Sequence, residues 1–190
     1  MSVRTSALRA AAHLLCLLPF IWQLKAIATN DLGPDPAETL MRELGFWGIT
    51  WLWCSLAMTP LRIITGRSFW IALRRLLGLW SFAYLMCHLI VFVVMWCGAD
   101  PGLIWEEVNK RPYILIGLVG WMLMVPLAVT STQRARRRLG KRWNDLHKLV
   151  FPVAVLGMFH LAWIEKLDYT KSIVFSILLI FFLFVRFRAR

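Results

Sequence analysis

The sequence predicts an all-α integral membrane protein, one domain over residues 1–190 built as a bundle of six transmembrane helices with both termini in the cytoplasm. Three observations predict it. First, 59% of the 190 residues are hydrophobic and the mean hydropathy is +0.64, well above the range of ordinary soluble domains. Second, these residues gather in six apolar runs; a helix crossing a hydrocarbon core needs about 20 such residues, and no run alternates every second residue as a membrane β-barrel does. Third, the charges between the runs are sorted by sign.

In order, the runs cover residues 10–28, 44–58, 76–97, 113–129, 143–164 and 173–185. The helices built on them are expected at about 10–28, 43–59, 76–97, 112–130, 143–164 and 171–187. The first follows Arg4 and Arg9 and stops at "NDLGPDPAE"; its Ala26-Ile27-Ala28 end also resembles a secretory signal, but the segment is read as an uncleaved helix. The second is short and stops at "TPLRIITGR". The third, "LLGLWSFAYLMCHLIVFVVMWC", has His88 as its one ionisable group near neutral pH and ends at "GADPG". The fourth is closed by "TQRARRRLGKR", the fifth holds Pro152 and ends at "EKLDYTK", and the sixth runs into "RFRAR".

If the N-terminus is cytoplasmic, 16 of the 22 basic residues fall on the inner side, seven of them between 134 and 148. Nine of the ten acids then lie outside, with Asp145 the exception. This is the positive-inside pattern, and it accounts for the net charge of +12 without nucleic acid as a partner. Trp22, Trp47, Trp105 and Trp163 fall near the outer boundaries, where aromatic belts form.

Little chain remains for a globular domain, so a catalytic or nucleotide-binding part belongs to another polypeptide. Cys16, Cys54, Cys87 and Cys97 lack the spacing of a zinc, redox or covalent heme motif and read as small core residues. No Ser-His-Asp set, H-E-x-x-H or glycine-rich phosphate loop is present.

The chemistry rests on four histidines, His13, His88, His147 and His160, all in or beside apolar runs. An imidazole in a bilayer is costly and marks either a polar contact between helices or a function. Neutral imidazole is also the usual axial ligand of iron in heme, an apolar disc suited to the space between helices. The third and fifth runs travel in the same direction across the membrane. Counted from the last cation before each, His88 lies 13 residues past Arg75, while His160 lies 18 and His147 only 5 past Arg142. An offset of five residues is about 7.5 Å of helix rise, within reach of tilt, so His88 and His160 are the expected axial pair. His147 and His160 are 13 residues apart, about 19.5 Å along a helix, and serve different sites. A second heme through His147 has no evident partner, since Arg74 and Arg75 stand where it would lie; His13, four residues after Arg9, has suitable depth but equally suits a polar contact or a quinone pocket.

These residues carry a resemblance. "TPLR", "RRLLGLWSFAYLMCHL", "RPYILIGLVGW", "PLAVTSTQRARRRLGKRWNDLHKLVF" and "HLAW" closely resemble the heme-binding membrane subunit of the bacterial periplasmic methionine sulfoxide reductase system. The third-to-fifth segment is also similar to the ferric reductase and NADPH oxidase transmembrane domain. The resemblance implies a ferric reductase-like, six-helix b-type cytochrome in the bacterial inner membrane, an electron-transfer subunit rather than a catalytic one. It implies electrons drawn from the quinol pool, or from a cytosolic flavin reductase, and passed to a periplasmic molybdopterin subunit that repairs oxidised methionine in envelope proteins. The family's heme ligands match His88, His147 and His160, giving one heme b or two, and the family is described as also carrying FMN. The oxidase relatives have a second histidine on the third helix; here Arg74 or Arg75 replaces it.

Arg74, Arg75 and the "RARRRLGKRWNDLHK" segment suit topology and anionic lipid, and suit equally a heme propionate or a flavin phosphate. The outer segments "NDLGPDPAETLMRE" and "GADPGLIWEEVNKR" are acidic docking sites for a periplasmic partner or plain connectors. Two rival functions keep the histidines: a stand-alone ferric or quinone reductase, and a proton channel or transporter relaying protons through imidazoles.

Overall fold

The structure, a computed structural model, describes residues 3–165 and 169–189. Residues 166–168 and Arg190, counted in the charge pattern above, lie outside the described residues. Every regular element among the described residues is helical: α1 (Val3–Ala28), α2 (Pro36–Thr65), α3 (Phe69–Val91), α4 (Pro101–Lys110), α5 (Pro112–Val129), α6 (Gln133–Leu139), α7 (Arg142–Leu146), α8 (Val150–Ile164) and α9 (Thr170–Arg188). A π-turn (Phe92–Trp96) extends α3, and a 3₁₀ turn (His147–Leu149) joins α7 to α8.

Among the described residues, five stretches are long and apolar enough to cross a membrane, Ser6–Ala28, Phe69–Trp96, Pro112–Val129, Arg142–Ile164 and Thr170–Arg188. The second run of the sequence reading lies in α2, which is not among them. Its ends carry Glu38, Arg42, Glu43 and Arg62, and its middle carries three tryptophans. Yet α2 is the best-buried helix, with Leu40, Leu44, Ile49, Trp51, Leu52, Trp53 and Leu56 all inside. A helix sheathed by protein needs less hydropathy than one facing lipid.

The boundaries of α2 lie beyond its apolar run because the stop and start signals do. Asp35 accepts a hydrogen bond from the Glu38 N–H at 2.9 Å, with Pro36 in the first turn. At the other end Gly66, at φ 67°, donates its N–H to Arg62 O.

The chain forms two compact units, Met1–Asp100 with Phe182–Arg190, and Pro101–Phe181. In the first, α2 and α3 pack along their length, with α1 against α3. Small residues make the approach close: Ser81 donates to Gly48 O at 2.7 Å and Ser55 to Arg74 O at 2.8 Å. A core of Cys16, Leu44, Trp51, Met58, Leu76, Leu77 and Tyr84 fills the space between the three helices. Tyr84, 1% exposed, donates its hydroxyl to Cys16 O at 2.7 Å and so ties α3 to α1. The last turns of α9 belong to this unit, where Arg186 donates to Leu56 O at 2.7 Å.

In the second unit α5 packs on α8. The fifth run, read as one helix over 143–164, is helical throughout Arg142–Ile164, with one 3₁₀ turn just ahead of Pro152. Proline has no N–H for the carbonyl four residues back and its ring crowds that carbonyl, so the backbone tightens there. The unit also holds α6, capped by Thr132 on the Ala135 N–H at 3.1 Å, and α7. Trp143 of α7 donates its indole N–H to Thr130 O at 2.9 Å and lies under the Arg136 guanidinium.

Candidate functional site

In the first unit, half-buried His88 on α3 has Nδ1 2.8 Å from the carbonyl oxygen of Met41 on α2, 47 residues earlier. A backbone carbonyl only accepts, so Nδ1 carries the hydrogen and the lone pair of the neutral ring is on Nε2. A Cβ placed on Gly45 would lie 3.1 Å from His88 Nδ1 and 3.2 Å from Cε1. The imidazole therefore rests on the bare backbone of α2.

The second unit contains the same arrangement. His160 on α8 has Nδ1 2.6 Å from Tyr113 O on α5, again 47 residues earlier. A Cβ on Gly117 would lie 2.7 Å from His160 Cε1 and 2.8 Å from Nδ1. His147 is in this unit too, at the 3₁₀ turn, with Nδ1 3.1 Å from Trp143 O and its ring stacked on the Trp143 indole at 3.8 Å between centroids. His147 and His160 thus share a unit but are held by different elements.

His13 differs in kind. Its Nδ1 accepts the indole N–H of Trp80 at 2.9 Å, which leaves the hydrogen of the neutral ring on Nε2. It lines an open groove of about 360 Å³ with Arg9, Arg75, Leu79 and Trp80. Of the two arginines singled out in the sequence, exposed Arg75 faces this groove. Half-buried Arg74 lies at the α2–α3 contact, where its carbonyl accepts from Ser55.

A heme iron bound by imidazole takes Nε2 when the opposite N–H is held by a carbonyl or carboxylate, which fixes the tautomer and raises the ligand's basicity. His88, His147 and His160 all meet that condition and His13 does not. Sequence reasoning found the three imidazoles but missed Met41, Gly45, Tyr113 and Gly117. Two of these act through backbone oxygen, which leaves no mark on residue type; the glycines were visible as spacing.

In the two acidic segments, Glu38 pairs with Arg42 on α2, Glu106 with Lys110 on α4, and Glu107 of α4 with Arg111 just past its end. The Lys110 ammonium is held above its ordinary pKa by the Glu106 hydrogen bond and charge.

The helices and their carbonyl-anchored histidines define a ferric reductase-like transmembrane protein: the ferric reductase like transmembrane component family matches residues 44–158. Within that class, the chain belongs to the MsrQ family, the heme-binding subunits of protein-methionine-sulfoxide reductase. The Rhodospirillum rubrum protein of that name is 42% identical over 179 residues, covering 94% of this chain and 86% of the relative. The Ralstonia nicotianae protein is 39% identical over 173 residues, covering 90% and 80%.

Proposed function

We propose that the protein is a b-type cytochrome subunit of the bacterial inner membrane, passing electrons from the quinol pool or a cytosolic flavin reductase to a periplasmic molybdopterin methionine sulfoxide reductase. The observation that carries this reading is the shared tautomer. His88 and His160 each give Nδ1–H to a backbone carbonyl on another helix of their own unit, the arrangement that presents Nε2 to a metal. His88 and His160 are proposed as the axial ligands of one heme b, and His147 as the ligand of a second. Bound heme would supply a one-electron carrier in an apolar setting. The chain's own residues hold each ring in place through its Nδ1–H···O bond to a backbone carbonyl. Arg74, Arg75 and the basic 134–148 segment are proposed to meet anions, whether heme propionates or the phosphate of FMN. With α2 counted as a span, the residues form one six-helix domain with both termini in the cytoplasm, and the outer segments face the periplasmic partner.

The same geometry weighs against a proton relay. A relay needs each imidazole to take a proton at one nitrogen and release it from the other; here one nitrogen points at a backbone carbonyl, which cannot pass a proton on. The test is heme content of the purified protein by pyridine hemochrome. His88→Ala and His160→Ala are expected to lose the heme they share, while His13→Ala keeps it. Full heme occupancy in His88→Ala would overturn the assignment, and a wild-type protein without a Soret band after expression with ample heme would remove the cytochrome altogether.

A further inference from the structure

Met41, Gly45 and His88 recur as Tyr113, Gly117 and His160 at one constant step of 72 residues. Gly48 and Gly120 obey the same step, as do the α2–α3 and α5–α8 pairings that hold the two groups. Each group has one internal logic. In an α-helix the side chain at i+4 leans back over the carbonyl of residue i. Any Cβ at position 45 or 117 would therefore stand beside the oxygen that the imidazole must reach. The space is already taken: the nearest atoms to a Cβ on Gly45 are His88 Nδ1 and Cε1, and to one on Gly117 are Cε1, Nδ1 and Nε2 of His160, at 2.7, 2.8 and 3.2 Å. Gly120, one turn further along α5, would meet only Leu156 Cβ, at an ordinary 3.6 Å.

We propose that Gly45 and Gly117 are positioning residues for the two ligand histidines, the middle member of a carbonyl–glycine–histidine module present once in each unit. The bare Cα lets the ring lie against the helix while Nδ1–H reaches the carbonyl one turn earlier. The module thereby sets both the ring's orientation and the strength of its N–H···O bond. A stronger bond makes the imidazole a better donor to iron and favours the ferric state; a weaker one raises the reduction potential. The inference rests on His88 and His160 being heme ligands.

The experiment uses the heme-loaded protein with Gly45→Ala, Gly117→Ala and, as control, Gly120→Ala. Readouts are the midpoint potential by redox titration and the ferric low-spin EPR spectrum, neither of which depends on a partner or on turnover. Gly117→Ala is expected to shift the potential upward and move the EPR g-values, or to lose heme while keeping wild-type helix content by circular dichroism. Gly45→Ala, with the milder 3.1 Å approach, is expected to shift both in the same direction by less and carries the test where Gly117→Ala does not accumulate. Gly120→Ala is expected to match wild type. Wild-type potential and g-values in both Gly45→Ala and Gly117→Ala, or equal shifts in all three variants, overturn the proposal. If His88→Ala and His160→Ala retain full heme, the ligand assignment has failed; if they lose it and the glycine variants are silent, only the module has failed.

Discussion

Replacing Gly48 by alanine isolates the packing of the first unit from any ligand. A Cβ there would lie 2.6 Å from Leu85 Cδ2, 2.7 Å from Leu85 Cγ and 3.4 Å from the Leu85 backbone nitrogen. Carbons in contact prefer about 3.5–4 Å, so the shortfall is about 1 Å. Because Cγ is the branch point, the leucine cannot clear the methyl by turning its end alone. Either it leaves its rotamer, at about 0.5–1.5 kcal/mol, or α2 and α3 part, which also stretches the Ser81 to Gly48 O hydrogen bond, worth about 1 kcal/mol net. Overpacking of this kind costs about 1–3 kcal/mol, offset by the helix propensity of alanine over glycine, up to about 1 kcal/mol. The net expectation is a loss of about 1–2 kcal/mol. Gly120→Ala, with its nearest neighbour at 3.6 Å, keeps the propensity gain and is expected at neutral to about 1 kcal/mol more stable. The assay is reversible unfolding in mixed detergent micelles followed by circular dichroism, comparing free energies of the two variants. Gly48→Ala as stable as wild type, or the two variants indistinguishable, would refute the packing argument.

Three further outcomes follow from the same geometry. His147→Ala is expected to lower the heme-to-protein ratio while the remaining heme keeps its bis-histidine low-spin spectrum, because the His147 ring is held by its own turn and Trp143; loss of all heme would contradict it. Since the 72-residue step places Arg75, not a histidine, at the counterpart of His147, the component lost is expected to be high-spin in EPR. Tyr84→Phe removes a buried hydroxyl bonded to Cys16 O and is expected to cost about 0.5–1.5 kcal/mol in the same unfolding assay. Reporter fusions after residue 190 and within 134–148 are expected to read as cytoplasmic, and fusions within 100–110 as periplasmic, from the charge distribution.

The helical class was legible because bilayer thickness imposes a length on apolar runs, and five of the six runs reappear inside membrane-length helices. The second was legible as apolar, but its true extent was set by Asp35, Pro36 and Gly66, signals that act through backbone capping outside the run. The helical stretch over 143–164 was legible, but the 3₁₀ winding at His147 was only foreshadowed by Pro152, because proline near a helix start does not say how the preceding turn is wound. The imidazoles stood out by rarity. Their tautomers did not, since those depend on which atom each Nδ1 meets; only the coordinates separate His13, accepting from Trp80, from His88, His147 and His160, donating to carbonyls.

The choice of backbone over side chain as the histidines' partner has a physical reason that also explains its weak trace in the sequence. In soluble metal sites a carboxylate often takes the imidazole N–H, but a carboxylate inside a bilayer carries a heavy desolvation cost. A helix carbonyl has a second lone pair left after its own i+4 bond, carries no net charge and is already present at every position. What it lacks is access, because the side chain one turn on leans over it. Removing that side chain is the only change in residue type the arrangement requires. The partner of such an imidazole is written as a glycine four residues after an unremarkable residue, here Met41 and Tyr113, rather than as an acid near a histidine.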